Sequence, residues 1–588
     1  MNEAYAIPAV AVVVLATVLI GGFGLRISRT TSDFYVASRT VRPRLNAAAI
    51  SGEYLSAASF LGIAGLLLVH GPDMLWYPVG YTAGYLVLLV FVAAPLRRSG
   101  AYTLPDFAEG RLESRQVRRV VSVFVVGAGW LYLVPQLQGA GLTLQILTGA
   151  PRWFGGALVA AVVVLAVAAG GMRSITFVQA FQYWLKLTAL LVPAFFLLLA
   201  WRGSGGPPGD VVPADLPSAG VGAGRPLATS RADHPLYATY GLIVATFLGT
   251  MGLPHVVVRF YTSPNGRAAR RTTVVVLALI GAFYLLPPLY GWLGRLYVPG
   301  LAATHDADAT VLLLPGLVVD GVAGELLGAL VAGGAFAAFL STASGLTMAV
   351  AGVVSQDVLP RRGVRHFRLA VALAMAVPLA GALLVDGVPV ADAVGMAFAV
   401  SASSFCPLLI LGIWWRRLTP PGALAGLFLG GGSAFVAVTS TVAGAATNGW
   451  LHTLLAWPAL WSVPVGFLTM ILVSLATPHT IPPHTTATMT RLHLPETLRP
   501  GALKAREDRR EQPQPTRTRE TTDPPSTSGA LKARGERREQ PQPSRTRETT
   551  EPPSTSGALK GRGERREQPQ PTRTRETTAP PSTEGHAQ

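Results

Sequence analysis

Residues 45–65 read LNAAAISGEYLSAASFLGIAG. The length suits one crossing of a bilayer core, which takes about 20 residues. The composition is not that of a plain span, because Ser51, Gly52, Glu53, Ser56, Ser59 and Gly62 fall within twelve residues. Gly52 and Gly62 weaken the helix and admit close backbone approach. The Ser51 and Ser56 hydroxyls compete with the helix ladder. In lipid, such backbone survives only where protein or a water-filled cavity surrounds it. Packing through small residues explains the glycines and alanines but not Glu53, since an acid at this depth costs at least about 3 kcal/mol. The stretch reads as a helix that unwinds and turns carbonyls toward a cation. Glu53 is either a functional acid or the static partner of a neighbouring cation.

The chain around this stretch is built for a membrane. Of 588 residues, 50% are hydrophobic and 13% charged, with mean hydropathy +0.41; soluble domains carry about 25% charged residues. Thirteen apolar runs are expected to be helices, at roughly 5–26, 45–69, 74–96, 120–148, 153–172, 176–201, 235–258, 273–296, 319–353, 367–386, 389–415, 421–443 and 454–477. The ninth is too long for one perpendicular crossing and is expected to tilt or extend into the cytosol. Alternate loops hold 22 arginines and the opposite loops five. Positive charge marks the cytoplasmic face, so thirteen helices with the N-terminus outside and the C-terminus inside fit best. The formal net charge of +17 is thus mostly an orientation signal and implies no nucleic acid partner. A lone cysteine, Cys406, excludes an intramolecular disulfide and a Cys-rich metal site. No GxxxxGK[ST] pattern is present, so ATP-driven pumping would need a separate subunit. The segment MNEAYAIPAV lacks a basic n-region, so the first apolar run is expected to stay as a helix.

Three further stretches depart from plain span. The ninth run contains LSTASGLT at 340–347, where Ser341, Thr342, Ser344 and Thr347 interrupt an apolar helix. Hydroxyls and freed carbonyls are hard ligands that suit Na⁺, although a small-residue packing face has the same composition. Lys186 lies in FVQAFQYWLKLTALLV, about ten residues or roughly 15 Å inside the membrane. At that depth it must pair, lose its proton or line water, and Glu53 or a substrate carboxylate is the expected partner. It is the only lysine before residue 500; every other cation there is arginine. In GTMGLPHVVVRFYT at 249–262, Gly249, Gly252 and Pro254 suggest a hinge. His255 beside it is read as structural, and Asp106 in YTLPDF as the cap of a short helix.

Residues 202–234 read as an outside loop. From about 480 the chain turns Pro-, Thr- and Arg-rich, and a 28-residue unit starting at 501 returns at 529 and 557. It has no apolar face to stack, so residues 481–588 are expected to form a disordered cytoplasmic tail, with arginines able to touch anionic lipid.

SDFYVASRTV at 32–41, SGEYLSAASFLGIAG at 51–65, YTLPDFAEGRL at 102–112, GGMRSITFVQ at 170–179, GTMGLPHVVVRFYT and LSTASGLTMAVAGVVSQDVL at 340–359 resemble the sodium:solute symporter family. The similarity is nearest its cation/acetate and monocarboxylate permease branch and covers about residues 5–480. It implies a LeuT-like 5+5 inverted repeat, helices 2–6 and 7–11 of an all-α integral membrane protein. The broken second and seventh helices then stand at corresponding positions, with a midplane site between them. Matched motif by motif, the implied Na⁺ site uses the carbonyls of Gly52, Leu55 and Ala338 and the hydroxyls of Ser341 and Thr342. Many sugar-transporting members carry an acid where this chain has Gln179, which argues against that branch and leaves a second Na⁺ site or proton coupling open. Ser56 and Ser59 are the expected substrate contacts, with Glu53 and Lys186 as electrostatic tuners.

The expected function is secondary import of a small monocarboxylate such as acetate into the cell across the plasma membrane, with Na⁺ as coupling ion and no other cofactor. Alternatives are a symporter of another small solute, an H⁺-coupled monocarboxylate carrier, a non-transporting sensor, and a passive anion channel. An enzyme is not expected, because no clustered His, Asp or Ser–His pattern lines the spans.

Overall fold

The structure, a computed structural model, describes residues 3–28, 31–203, 233–303, 306–359, 363–384, 390–445 and 448–498. The chain separates into the units Met1–Pro513 and Gln514–Gln588. The repeats from 501 and most of the 202–234 loop lie outside the described residues.

Among the described residues every regular element is helical. Ten helices are long and apolar enough to cross a bilayer, and two bent pairs, Pro43–Tyr54 with Ala58–His70 and Pro235–Gly252 with Pro254–Phe260, raise the number to twelve. The runs expected at 153–172 and 176–201 are joined in one segment, Arg152–Gly203, of 52 residues. Drawn straight it would measure about 78 Å, more than twice a bilayer core. It does not run straight: at Gly171 φ is +56° and ψ −155°. Only glycine enters such a region without strain, and a Cβ there would also sit 2.7 Å from the Phe34 Cα.

The ninth run forms the helix Gly321–Val353, which continues through a π-helical turn to Val358. In its most apolar window 89% of the residues are buried. Its Ala, Gly, Ser and Thr side chains let neighbours approach closely, the usual packing chemistry inside membranes. Arg152–Gly203 packs along it and also along Pro43–Tyr54. These three segments frame the site described below. The far end of the ninth-run helix carries Asp357 to Arg118, which also pairs with Asp106 and Glu109 at 2.6, 2.8 and 2.5 Å respectively. Asp106 and Thr103 form a reciprocal capping box at the start of Leu104–Leu112, as the sequence suggests for Asp106.

The expected tail boundary at 480 falls too early. Thr485–His493 is a helix held against the membrane body. Arg98 donates to the carbonyls of Leu492 and His493 at 3.3 and 3.2 Å, and Glu496 accepts from the Gly266 N–H at 2.8 Å. Composition alone marks this stretch as polar, but its carbonyls and Glu496 meet fixed donors on the body.

Candidate functional site

The second helix breaks where its composition predicts. Pro43–Tyr54 ends at Leu55, whose φ/ψ of −73°/88° is not helical, and the chain resumes at Ala58–His70 with a bend of 70°. A break strands carbonyls at one end and N–H groups at the other. Here four of them find partners from other spans. Thr342 Oγ1 donates to the Glu53 carbonyl at 2.6 Å, and the Ala57 N–H donates to Gln136 Oε1 at 3.0 Å. The carbonyls of Gly52 and Leu55 both accept from Lys186 Nζ, the latter at 2.6 Å. Gly52 makes this crossing possible, since a Cβ there would lie 2.1 Å from the Gln179 carbonyl oxygen.

The third acceptor for Lys186 is Ser341 Oγ at 2.9 Å, which itself donates to the Ala338 carbonyl at 3.0 Å. The five groups that the resemblance assigns to Na⁺ therefore do converge: Gly52, Leu55 and Ser341 touch the ammonium directly, Ala338 lies one bond behind Ser341, and Thr342 bonds the adjacent Glu53 carbonyl. Ser341 and Thr342 serve different edges of the break, as expected for consecutive residues about 100° apart on a helix.

Of the two partners expected for Lys186, Glu53 or a substrate carboxylate, Glu53 makes no direct contact with it. The Glu53 carboxylate accepts from Arg259 Nε, with both side chains essentially inaccessible. Arg259 also donates to Thr176 Oγ1 at 2.9 Å and to Gln179 Oε1, while Gln179 Nε2 donates to the Ser341 carbonyl at 2.8 Å. Counted in the sequence as an inside-loop cation, Arg259 instead lies in Pro254–Phe260, the short half of the broken seventh helix. Losing it from the loop tally leaves the asymmetry intact. Its signal was readable: HVVVRFY embeds one arginine in an apolar run.

The seventh helix breaks at Leu253, with φ/ψ of −60°/119°, between Gly252 and Pro254 and with a bend of 41°. Pro254 supplies no N–H to continue the ladder. Cβ atoms at Gly249 and Gly252 would sit 2.4 and 2.5 Å from the carbonyl oxygens of Phe398 and Ser401. The suggested hinge residues thus stand at a real break, pressed on Val390–Trp414.

Beyond the break lies an aromatic box. Tyr54 packs edge-on against Tyr81 and Tyr85, and Phe398 lies 4.8 Å from the Tyr81 ring and 5.9 Å from Tyr132. His255 packs on Tyr132 with centroids 5.3 Å apart. Ser59 Oγ is 2.9 Å from the Tyr284 hydroxyl, while Ser56 Oγ, Tyr81 OH, Tyr85 OH and Gln136 Nε2 are buried with no hydrogen-bond partner. Buried polar atoms are normally satisfied, so this unsatisfied group beside the start of Ala58–His70 stands out from the rest of the core. The tyrosines and Gln136 were missed in the sequence, where nothing distinguishes them from other span residues. Formal charge completes the picture. Arg259 and Glu53 form an ion pair, while the Lys186 amine next to the break meets only neutral oxygens.

Two mid-span breaks facing buried charge and polar donors define a multi-pass membrane carrier of small solutes. The chain belongs to the sodium:solute symporter family, whose profile matches residues 34–430. It is 31% identical over 468 residues to the Bacillus subtilis protein described as the uncharacterized symporter YwcA, covering 77% of this chain and 90% of that one. It is 30% identical over 493 residues to a monocarboxylic acid transporter of Corynebacterium glutamicum, covering 76% and 87%. Among solved structures, a substrate-bound, outward-open Na⁺-coupled sialic acid symporter has the same fold, with TM-score 0.58 at 13% identity over 80% of this chain and 98% of that one. The family and these relatives are transporters rather than enzymes.

Proposed function

We propose that this chain imports a small monocarboxylate of acetate size across the plasma membrane, driven by an inward cation gradient. The observation that carries this reading is the buried Lys186 amine, bonded only to neutral oxygens beside the Leu55 break, next to buried donors that lack partners. One carboxylate matches one positive charge, and a helix start adds to the attraction for an anion. Ser56, Tyr85 and Gln136 supply the neutral donors. The Corynebacterium relative supports the same substrate class.

Thirteen spans, obtained by counting Arg152–Gly203 as two, put the N-terminus outside and the C-terminus inside. This arrangement rests on the arginine asymmetry. Transport then consists of the two bent helices opening to one face at a time, with the buried Glu53–Arg259 pair as the contact that must part on one side.

The test is uptake of labelled acetate, propionate and pyruvate into proteoliposomes, with Na⁺ and proton gradients imposed separately. Accumulation of at least one above its equilibrium level is expected. If none accumulates under either gradient, the substrate class is wrong. If flux ignores both gradients but is fast, the scaffold is a passive channel.

A further inference from the structure

The oxygens that the family resemblance assigns to Na⁺ already hold a cation, and that cation is part of the chain. Lys186 Nζ donates to the Gly52 carbonyl, to the Leu55 carbonyl at 2.6 Å and to Ser341 Oγ at 2.9 Å. An ammonium has three N–H donors and no acceptor, and three acceptors meet it. Its side chain is fully buried. The remaining groups of the expected site are committed as well, the Ala338 carbonyl to the Ser341 hydroxyl and the Thr342 hydroxyl to the Glu53 carbonyl. An Na⁺ ion on the same oxygens would overlap Nζ and set two like charges side by side in a medium of low dielectric.

We propose that Lys186 is a tethered substitute for the sodium ion at this position, so that the seat bridging the second- and ninth-run helices takes no Na⁺ in this chain. Residue choice supports the assignment. Before residue 500 the chain uses arginine for every cation except this one. The ammonium is a compact point charge, like the ion it replaces, whereas a guanidinium is a planar fork of five donors that three convergent oxygens cannot satisfy. The consequence is mechanical. A bound ion links the two helices only while it is present; a lysine anchored on Arg152–Gly203 links them through a covalent stem at all times. The gradient that drives the anion inward then acts through something other than Na⁺ binding here. That last consequence rests on the monocarboxylate reading, whereas the occupancy of the seat does not.

The experiment is equilibrium binding of ²²Na⁺ to the purified full-length protein, with the melting temperature followed in NaCl against choline chloride at constant pH and ionic strength. Wild type is expected to show no saturable Na⁺ binding and no Na⁺-dependent shift. Lys186→Ala, which vacates the cage, is expected to gain both, and Ser341→Ala added to it to abolish the gain. Saturable Na⁺ binding by wild type that Ser341→Ala removes would overturn the proposal. So would a Lys186→Ala protein that keeps its gel-filtration profile and gains no Na⁺ binding. In the uptake arm, replacing Na⁺ by choline leaves the wild-type rate of labelled acetate entry unchanged. If the binding arm comes out as expected and no monocarboxylate enters, the substrate reading fails and the tethered cation stands.

Discussion

Arg259→Met tests the buried pair that joins the two broken helices. Arg259 donates to the Glu53 carboxylate, to Thr176 and to Gln179, and both charged side chains are shut off from solvent. Removing the guanidinium strands a buried carboxylate, which typically costs about 3–5 kcal/mol. Glu53→Gln alone leaves Arg259 two of its three side-chain partners, and its loss is smaller. In the double variant the charge left behind is gone, so coupling should return about 1–3 kcal/mol relative to the summed single losses. The measurement is reversible unfolding in mixed micelles for wild type, both single variants and the double. Strict additivity would refute the pairing. The same variants report on gating. Ser263, buried beside Asn46 at this end of the site, becomes the labelling position as Ser263→Cys. The native Cys406 is buried and contributes little background. Thiol modification at 263 should speed up when Arg259 is replaced, and an unchanged rate would separate the pair from closure of this face.

Gly52→Ala drives a methyl group to 2.1 Å from a backbone carbonyl of Arg152–Gly203; overpacking of this kind destabilises by about 1–3 kcal/mol, read as a lower melting temperature in detergent. Gln136→Leu removes the acceptor of the Ala57 N–H at 3.0 Å, and a stranded buried donor costs about 1–3 kcal/mol; anion affinity should fall with it, as measured by competition for labelled acetate uptake. Arg118→Ala removes three carboxylate contacts from a partly buried hub, whereas Arg152→Ala removes one exposed pair with Asp306. The first should lower the melting temperature clearly and the second hardly at all. Equal effects would contradict the weight given to burial. Lys186→Arg should insert into membranes yet lose uptake, since the fork cannot reproduce the three-point contact.

Much of this architecture is legible in single stretches. The apolar runs declare the spans because a bilayer core demands about 20 apolar residues each. The breaks at Leu55 and Leu253 are announced by glycine, serine and proline, which act on their own local backbone. Thr103 and Asp106 declare their cap for the same reason. Legibility declines where partners come from distant spans. Glu53 was recognisable as anomalous, but its partner lies 206 residues away. The aromatic box has no signature at all, since tyrosine in a span is equally suited to a core and to a ligand.

The membrane class, the places where helices must give way and the oddity of a lone lysine among arginines all follow from the chain read by itself, because hydropathy and backbone preference are properties of neighbouring residues. Which oxygens that lysine meets is a different kind of fact. The three acceptors of Lys186 lie 131 to 155 residues away along the chain. They converge only once three helices are rotated about their axes and packed together, two of them touching at Gly52. The period of a helix says which residues share a face; only packing says what that face touches. That step turned an expected sodium site into a cage already filled by a side chain.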